Sequence, residues 1–439
     1  MAKPVVAIVG RPNVGKSTLF NRLVGRQMAI VSKLSGTTRD RITSETVWGD
    51  HFFILVDTGG LQGAPDTDLW QQVRSQAEIA ITDADTIVML VDVTEGVTAA
   101  DMDVAELLRV SGRPVVLAAN KADTERRGFA SAEFYRLGLG EPFPVSAYHN
   151  LGLDDLMAQV IANFPAEPEF PEPDADVRLA IVGRPNVGKS MLLNTMTGQQ
   201  RSIVSPIPGT TRDTIDTLVM RDDTSILLLD TAGIRRPGKV GTGIEKYSVL
   251  RAVRAIDRAD VAILLLDVTE TATSQDTHIA SYILESFKGI VLAVNKWDLA
   301  PELGITEDDA TRMVRRRFKF ATYAPLVFTS ALTGQGLGPL LDTALEVYRQ
   351  WTKGVPRYDL RRTVMGAVAD HPPVAVRGRS LNIYSVAQDQ TGPPSFTFYV
   401  NRSDTVHFSY QRYLENRLRE AYDFRGSPLK MRFKSRGER

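Results

Sequence analysis

Two identical octapeptides, GRPNVGKS, stand at Gly10–Ser17 and Gly183–Ser190. A G-x-x-x-x-G-K-[ST] turn between a strand and a helix makes a cradle for phosphate. Gly10, Gly15, Gly183 and Gly188 allow the tight backbone path. The intervening Arg11, Pro12, Asn13 and Val14, and Arg184, Pro185, Asn186 and Val187 in the second copy, form the loop whose N–H groups turn inward. Lys16 and Lys189 are placed to neutralise β and γ phosphates, and the Ser17 and Ser190 hydroxyls to meet Mg2+, whose other ligands are water and phosphate oxygens. Each copy continues with D-x-x-G: Asp57, Thr58, Gly59 and Gly60 followed by Leu61, and Asp230, Thr231, Ala232 and Gly233 followed by Ile234. There the carboxylate stands next to the metal and the glycine N–H near the γ phosphate, although a strand-ending Asp also serves as a plain helix cap. Thr38 or its neighbour Thr37, and Thr211 or Thr210, lie in a polar loop before that strand. A hydroxyl there reaches the metal only while a γ phosphate holds the loop in, which would make the loop a switch.

A third motif reads a base. In N-K-x-D (Asn120, Lys121, Ala122, Asp123; Asn295, Lys296, Trp297, Asp298), the carboxylate can accept from N1–H and the 2-amino group of guanine, donors that adenine does not offer in that geometry. The Asn and Lys brace the loop and cover the base. Ser146–Ala147 and Ser330–Ala331 follow, each offering an alanine N–H to the guanine carbonyl. A lone tetrapeptide of this kind is as readily an ordinary loop; the ordered set, repeated, points to GTP and GDP.

The repeat fixes the organisation. The phosphate loops, GTTRD at Gly36 and Gly209, and Asp57 and Asp230 all recur at an offset of 173, N-K-x-D at 175 and Ser-Ala at 184. The late insertion falls around Thr306 to Thr322. Short β-branched runs precede the motifs: Val5–Val9, Phe52–Val56, Thr86–Val91 and Val115–Ala119, then Leu179–Val182, Ile226–Leu229, Val261–Leu266 and Ile290–Val294. Separated by helical patterns, they predict α/β domains, each a mostly parallel sheet with helices on both faces, binding ligand at the carboxyl ends of its strands. The expected domains are 1–164 and 177–352, joined by the acidic, Pro-rich linker 165–176 and followed by a small α+β domain, 353–439. In the last, Val364–Val368, Leu381–Val386 and Phe396–Val400 read as strands, Ser409–Ala421 as a helix and Leu429–Phe433 as a closing strand.

The 439 residues contain no Cys, which excludes disulfide scaffolds and thiolate chemistry and fits a reducing compartment, the cytoplasm. The N-terminal apolar run is too short for a signal peptide, and runs such as Val261–Leu266 fall well below the roughly 20 residues of a membrane span, so no membrane association is expected. Fifty-two basic and fifty-two acidic side chains cancel, but not locally: residues 1–164 carry net minus five, the linker minus five, 177–352 plus two and 353–439 plus eight. The neutral total hides a basic end suited to nucleic acid.

These motifs resemble those of the translation-factor-related GTPases, and the tandem pair with its C-terminal appendix looks like the bacterial EngA family, also called Der, along essentially the whole chain. The resemblance implies two P-loop GTPase domains and a KH-like domain, GTP hydrolysis, and a role in assembly of the large ribosomal subunit through rRNA, by a chain expected to be a monomer. Leu61 and Ile234 stand where Ras-like GTPases place a water-orienting Gln. In related GTPases with an apolar residue there, a phosphate-loop Asn helps hold a K+ that adds positive charge near the transferring phosphoryl. Asn13 and Asn186 match it and join Lys16 and Lys189 as candidate catalytic residues, unless they only stabilise the loop. Met191 replaces the Thr18 of the first copy, and retained nucleotide binding is expected. No G-x-x-G clamp occurs after Lys353, so RNA contact there falls to Arg377, Arg379, Lys430, Arg432, Lys434 and Arg436, while Tyr410, Tyr413 and Tyr422 read as core. A P-loop kinase of small molecules and a non-catalytic GTP-binding scaffold remain as alternatives; phosphate release without an added acceptor separates them.

Overall fold

The computed structural model describes residues 3–25, 43–58, 77–78, 80–81, 84–165, 175–199, 206–207, 216–229, 249–373 and 381–435. Linker residues 166–174 and the candidate positions Thr37, Thr38, Gly59, Gly60, Leu61, Thr210, Thr211, Asp230, Thr231, Ala232, Gly233 and Ile234 lie outside the described residues, as do Arg377, Arg379 and Arg436. The chain divides into two compact units, residues 1–169 with 248–254, and 170–247 with 255–439.

In the first unit, β1 (Val5–Val9), β2 (Thr43–Trp48), β3 (His51–Asp57), β4 (Thr86–Asp92), β5 (Val115–Asn120) and β6 (Pro142–Pro144) form one sheet in the order β2-β3-β1-β4-β5-β6. Only β2 runs antiparallel to its neighbour. The inner strands β1, β4 and β5 are apolar on both faces because both are covered. Val6, Ile8, Val88 and Leu90 pack with Leu19 and Leu23 of α1 (Lys16–Gly25) and with Leu156 and Val160 of α4 (Leu153–Ala162). Val5, Ala7, Ile87 and Met89, which alternate with them, are also fully buried. Helix α2 (Ala99–Ser111) starts at a capping box in which Thr98 and Asp101 bond reciprocally; α3 (Glu125–Ala130) follows β5.

The second sequence copy repeats this plan with β7 (Val177–Val182), α5 (Lys189–Gln199), β8 (Pro206–Ile207), β9 (Asp216–Arg221), β10 (Thr224–Leu229), α6 (Val249–Arg258), β11 (Val261–Asp267), α7 (Ser274–Glu285), β12 (Gly289–Asn295), α8 (Glu307–Arg317), β13 (Leu326–Phe328) and α9 (Leu337–Trp351). Its sheet order is β13-β12-β11-β7-β10-β9-β8. In both sheets the first strand lies between neighbours reached in opposite directions, β3 and β4 around β1, β10 and β11 around β7. That arrangement opens a crevice at the carboxyl ends of the strands.

The C-terminal part belongs to the same compact unit as the second sheet. It packs α10 (Arg357–Asp370) and α11 (Phe408–Tyr422) on a three-stranded sheet, β14 (Ile383–Gln390), β15 (Ser395–Val400) and β16 (Lys430–Ser435). One sequence expectation is corrected here: Val364–Val368 is helix, inside α10, not strand. Its buried Leu360, Val364 and Ala367 are spaced by four and three, a helical stripe that a five-residue window misses. Tyr410, Tyr413 and Tyr422 pack partly buried against the core. Gly426 joins the two parts: its carbonyl accepts from Ile290 N–H at 2.8 Å and its N–H donates to the Tyr323 carbonyl at 2.8 Å. The Arg419 guanidinium lies 3.6 Å from the centre of the Tyr323 ring, and burial pushes that phenol up to about 12.

Candidate functional site

The two phosphate loops have the same backbone. Asn13 and Asn186 sit at φ 65° and 63°, a left-handed conformation that Asn tolerates, and Gly15 and Gly188 at φ 102° and 98°. A Cβ on Gly15 would lie 2.4 Å from Asn120 Nδ2, and one on Gly188 equally close to Asn295 Nδ2. Each glycine is therefore required twice, by its φ and by its neighbour. Val14 and Val187 are fully buried and anchor the loops in the core.

Each Asn of the N-K-x-D motif is a strut. Asn120 Nδ2 donates to the Val14 carbonyl at 2.7 Å, and Asn120 Oδ1 accepts from Ala147 N–H at 3.0 Å. Asn295 repeats both bonds, to Val187 at 2.8 Å and from Ala331 at 2.9 Å. One buried amide thus fixes the spacing between phosphate loop and Ser-Ala loop. The alanine N–H groups expected to meet a guanine carbonyl are engaged by these struts.

Lys16 is buried at the start of α1, its ammonium donating to the carbonyls of Gly10 at 2.6 Å and Arg11 at 2.9 Å. Burial lowers its pKa to about 8, opposed by the Asp57 carboxylate. Lys189 donates to the Arg184 carbonyl at 2.7 Å. Ser17 Oγ donates to Asp57 Oδ2 at 2.7 Å, which brings together two of the oxygens expected at Mg2+. These are hard oxygen donors. One serine hydroxyl and one carboxylate fit a cation whose other ligands are phosphate and water oxygens. Thr58 is turned elsewhere: its hydroxyl donates to the Ile8 carbonyl at 2.7 Å, pinning β3 to β1. The Arg11 guanidinium also turns away from the loop, pairing with Glu95 and, at 3.3 Å, with Asp101, while Arg184 pairs with Glu270 and, at 3.7 Å, with Asp276.

Sequence reasoning passed over Asp92 and Asp267. Asp92, fully buried at the end of β4, pairs with Lys121 at 2.5 Å and accepts from Thr94 N–H and Oγ at 2.9 and 2.7 Å. Burial disfavours its charge, but Lys121 and Thr94 outweigh burial and hold its pKa below the usual range. Asp267 stands in the same relation to Lys296, at 2.6 Å, and to Thr269. The signal was available: the tetrapeptide DVTE recurs at Asp92–Glu95 and Asp267–Glu270, at the same offset of 175 as N-K-x-D. Its Asp holds the motif lysine and its Glu holds the phosphate-loop arginine.

Comparison with known proteins places this geometry. A family model described as "50S ribosome-binding GTPase" matches residues 5–121 and again 178–296. One described as "KH-domain-like of EngA bacterial GTPase enzymes, C-terminal" matches residues 355–434. The chain is 51% identical to the GTPase Der of Chloroflexus aggregans over 99% of both chains. The chain belongs to the Der (EngA) family of GTPases. It is also 48% identical to the Der proteins of Herpetosiphon aurantiacus, over 100% of this chain and 98% of that one, and of Moorella thermoacetica, over 100% of both. Family membership makes it a GTP-hydrolysing protein with two GTPase domains and a KH-like domain.

Within this Der-type frame the two sites differ at the base-reading loop. Asp298 accepts from Ser330 Oγ at 2.5 Å, whereas Asp123, at the surface, pairs with Arg127, which holds its carboxyl below the usual range. Glu302 occupies the position of Arg127 in the second copy. The Trp297 ring packs against Phe328, centroids 4.3 Å apart, so this variable motif position serves packing. Met191 is exposed on α5, consistent with a loop that works through its backbone.

Proposed function

We propose that each GTPase domain binds GTP with Mg2+ and hydrolyses it, and that the nucleotide state controls association with rRNA of the large ribosomal subunit. The observation that carries the nucleotide part is the twofold recurrence of the Asn120 and Asn295 struts, which couple a phosphate loop to a guanine-reading loop in each sheet. Asp123 and Asp298 accept from the base, and Lys121 and Lys296, held by Asp92 and Asp267, lie along it. Lys16 and Lys189 place their charge on the phosphates, and Ser17 with Asp57, and Ser190 with Asp230, hold the cation. Thr38 and Thr211 close the switch loops. Bound Mg2+ neutralises charge on the β and γ phosphate oxygens. Hydrolysis breaks the bond between the γ phosphorus and its bridging oxygen as water attacks in line. No side chain is assigned as general base, because positioning and charge carry most of this chemistry.

The proposal extends to K+. Among the described residues neither Asn13 nor Asn186 makes a side-chain hydrogen bond within its loop, and both are exposed, which supports a role toward a cation over one of bracing the loop. K+ at that point adds positive charge near the transferring phosphoryl. Turnover in K+ buffer is expected to exceed that in Na+ buffer by roughly tenfold or more, as for removal of one transition-state charge contact. Equal rates in the two salts would remove K+ from the proposal.

The RNA part rests on the sixteen basic and eight acidic side chains of residues 353–439 and on the match to a family of 50S ribosome-binding GTPases. Domain boundaries at 164, 176 and 352, a monomeric chain and a cytoplasmic site belong to the same proposal. Among the described residues no helix is long and apolar enough to cross a membrane. Co-sedimentation with large ribosomal subunits in GDP, GTP and a non-hydrolysable analogue tests it: association is expected to differ between nucleotide states, and identical pelleting in all three would defeat the switch.

A further inference from the structure

The sheet β14-β15-β16 has one face in the core; the other is buried at Ser395 and Thr397 and exposed at the Tyr399 end. Phe396, Phe398 and Val400 point inward, so Tyr399 points outward, and the register sets Lys434 beside Tyr399 and Arg432 beside Thr397. β14 adds a second aromatic through a bulge. Ile383 pairs with Val400 and Ser385 with Tyr399, leaving Tyr384 as the extra residue opposite Tyr399. Ile383 and Val386 both lie in the core, so Tyr384 and Ser385 between them both escape it. Tyr384, Tyr399 and Lys434 therefore make one row across three strands, each about 4.8 Å from the next, with Arg432 one step along β16.

Single exposed aromatics need no explanation, but this row is more than that. Tyr384 and Tyr399 are 52% and 43% exposed, and among the described residues neither ring stacks on another. Arg432 and Lys434 are exposed, and among the described residues neither has an acidic partner. Asp389 accepts from the Thr397 hydroxyl. We propose that this face binds single-stranded RNA, with bases stacked on Tyr384 and Tyr399 and phosphates at Lys434 and Arg432. The assignment rests on the RNA-association reading above and specifies its site and ligand class. Two unpartnered rings suit unpaired bases, which a duplex does not offer, and two cations without counter-charges suit the backbone between them.

The full-length chain is titrated against a fluorescein-labelled, mixed-sequence RNA octamer carrying 2-aminopurine. Tyr399→Ala and Tyr384→Ala are each expected to weaken binding by roughly 5- to 100-fold, the range for loss of one stacked base, and to abolish part of the 2-aminopurine quenching. Tyr399→Phe keeps the ring and is expected to bind as the parent does. Lys434→Ala is expected to lower the salt slope by about 0.7, the value for one phosphate contact of a single strand. Unchanged affinity in both alanine variants, equal loss in Tyr399→Phe, or failure of the parent chain to bind the octamer would overturn the assignment. Loss of subunit co-sedimentation in Tyr399→Ala with octamer binding intact would likewise overturn it, in favour of a protein contact. Failure of the wider reading shows separately, as absence of parent co-sedimentation with subunits.

Discussion

Asn120→Ala is expected to abolish usable guanine-nucleotide binding at the first GTPase domain while leaving the second intact. The amide joins the Val14 carbonyl to the Ala147 N–H, and all three groups are buried. Removing it strands one acceptor and one donor away from water, at about 1–3 kcal/mol each. The sum, about 2–6 kcal/mol, is divided between domain stability and the cost of re-forming the site around the ligand. A drop of roughly 5- to 150-fold in GDP affinity at that site follows if half falls on binding. Titration with a fluorescent GDP analogue, in a chain whose second site is disabled by Asn295→Ala or left intact, reads the effect. Affinity within threefold of the parent would show that the strut does not set the site.

Gly15→Ala is expected to be at least as damaging, through the same node. Its φ of 102° is closed to an L side chain, a strain of about 1–3 kcal/mol, and the new Cβ would sit 2.4 Å from Asn120 Nδ2. The loop must shift or the strut must break. Because the two substitutions share one contact, the double variant Gly15→Ala/Asn120→Ala is expected to lose less than the sum of the singles, with a coupling of about 0.5–3 kcal/mol. Gly188→Ala should do the same to the second site, where φ is 98° and Asn295 is the neighbour. Strict additivity in either domain would mean that the glycine acts through its backbone alone.

The motifs that build these nodes were legible because phosphate and guanine recognition demand fixed residue types at fixed spacing, and the repeat displayed them twice. What the motifs lean on was harder to read. Asp92 and Asp267 act through a tertiary ion pair with a lysine 29 residues downstream, and the recurrence of DVTE shows it only once that pairing is known. Arg11 sits inside a phosphate-binding sequence yet turns its charge to Glu95 and Asp101, because the buried Asp101 of the α2 capping box lies alongside. The strand expected at Val364–Val368 failed because a short apolar run carries no period, and the helical stripe begins at Leu360. Neither the Gly426 junction nor the bulge at Tyr384 leaves a sequence signature, since both depend on which backbones meet.

Two independent guanine sites on one chain are tested most directly by counting bound GDP in Asp123→Asn and Asp298→Asn variants by calorimetry. An Asn amide donates where the Asp accepted, which suits the 2-carbonyl of xanthine and not the 2-amino group of guanine. The parent chain is expected to bind two GDP, each variant one GDP with xanthosine diphosphate filling the altered site, and the double variant none. A single GDP on the parent chain, or two GDP retained by either variant, would contradict two guanine-reading sites.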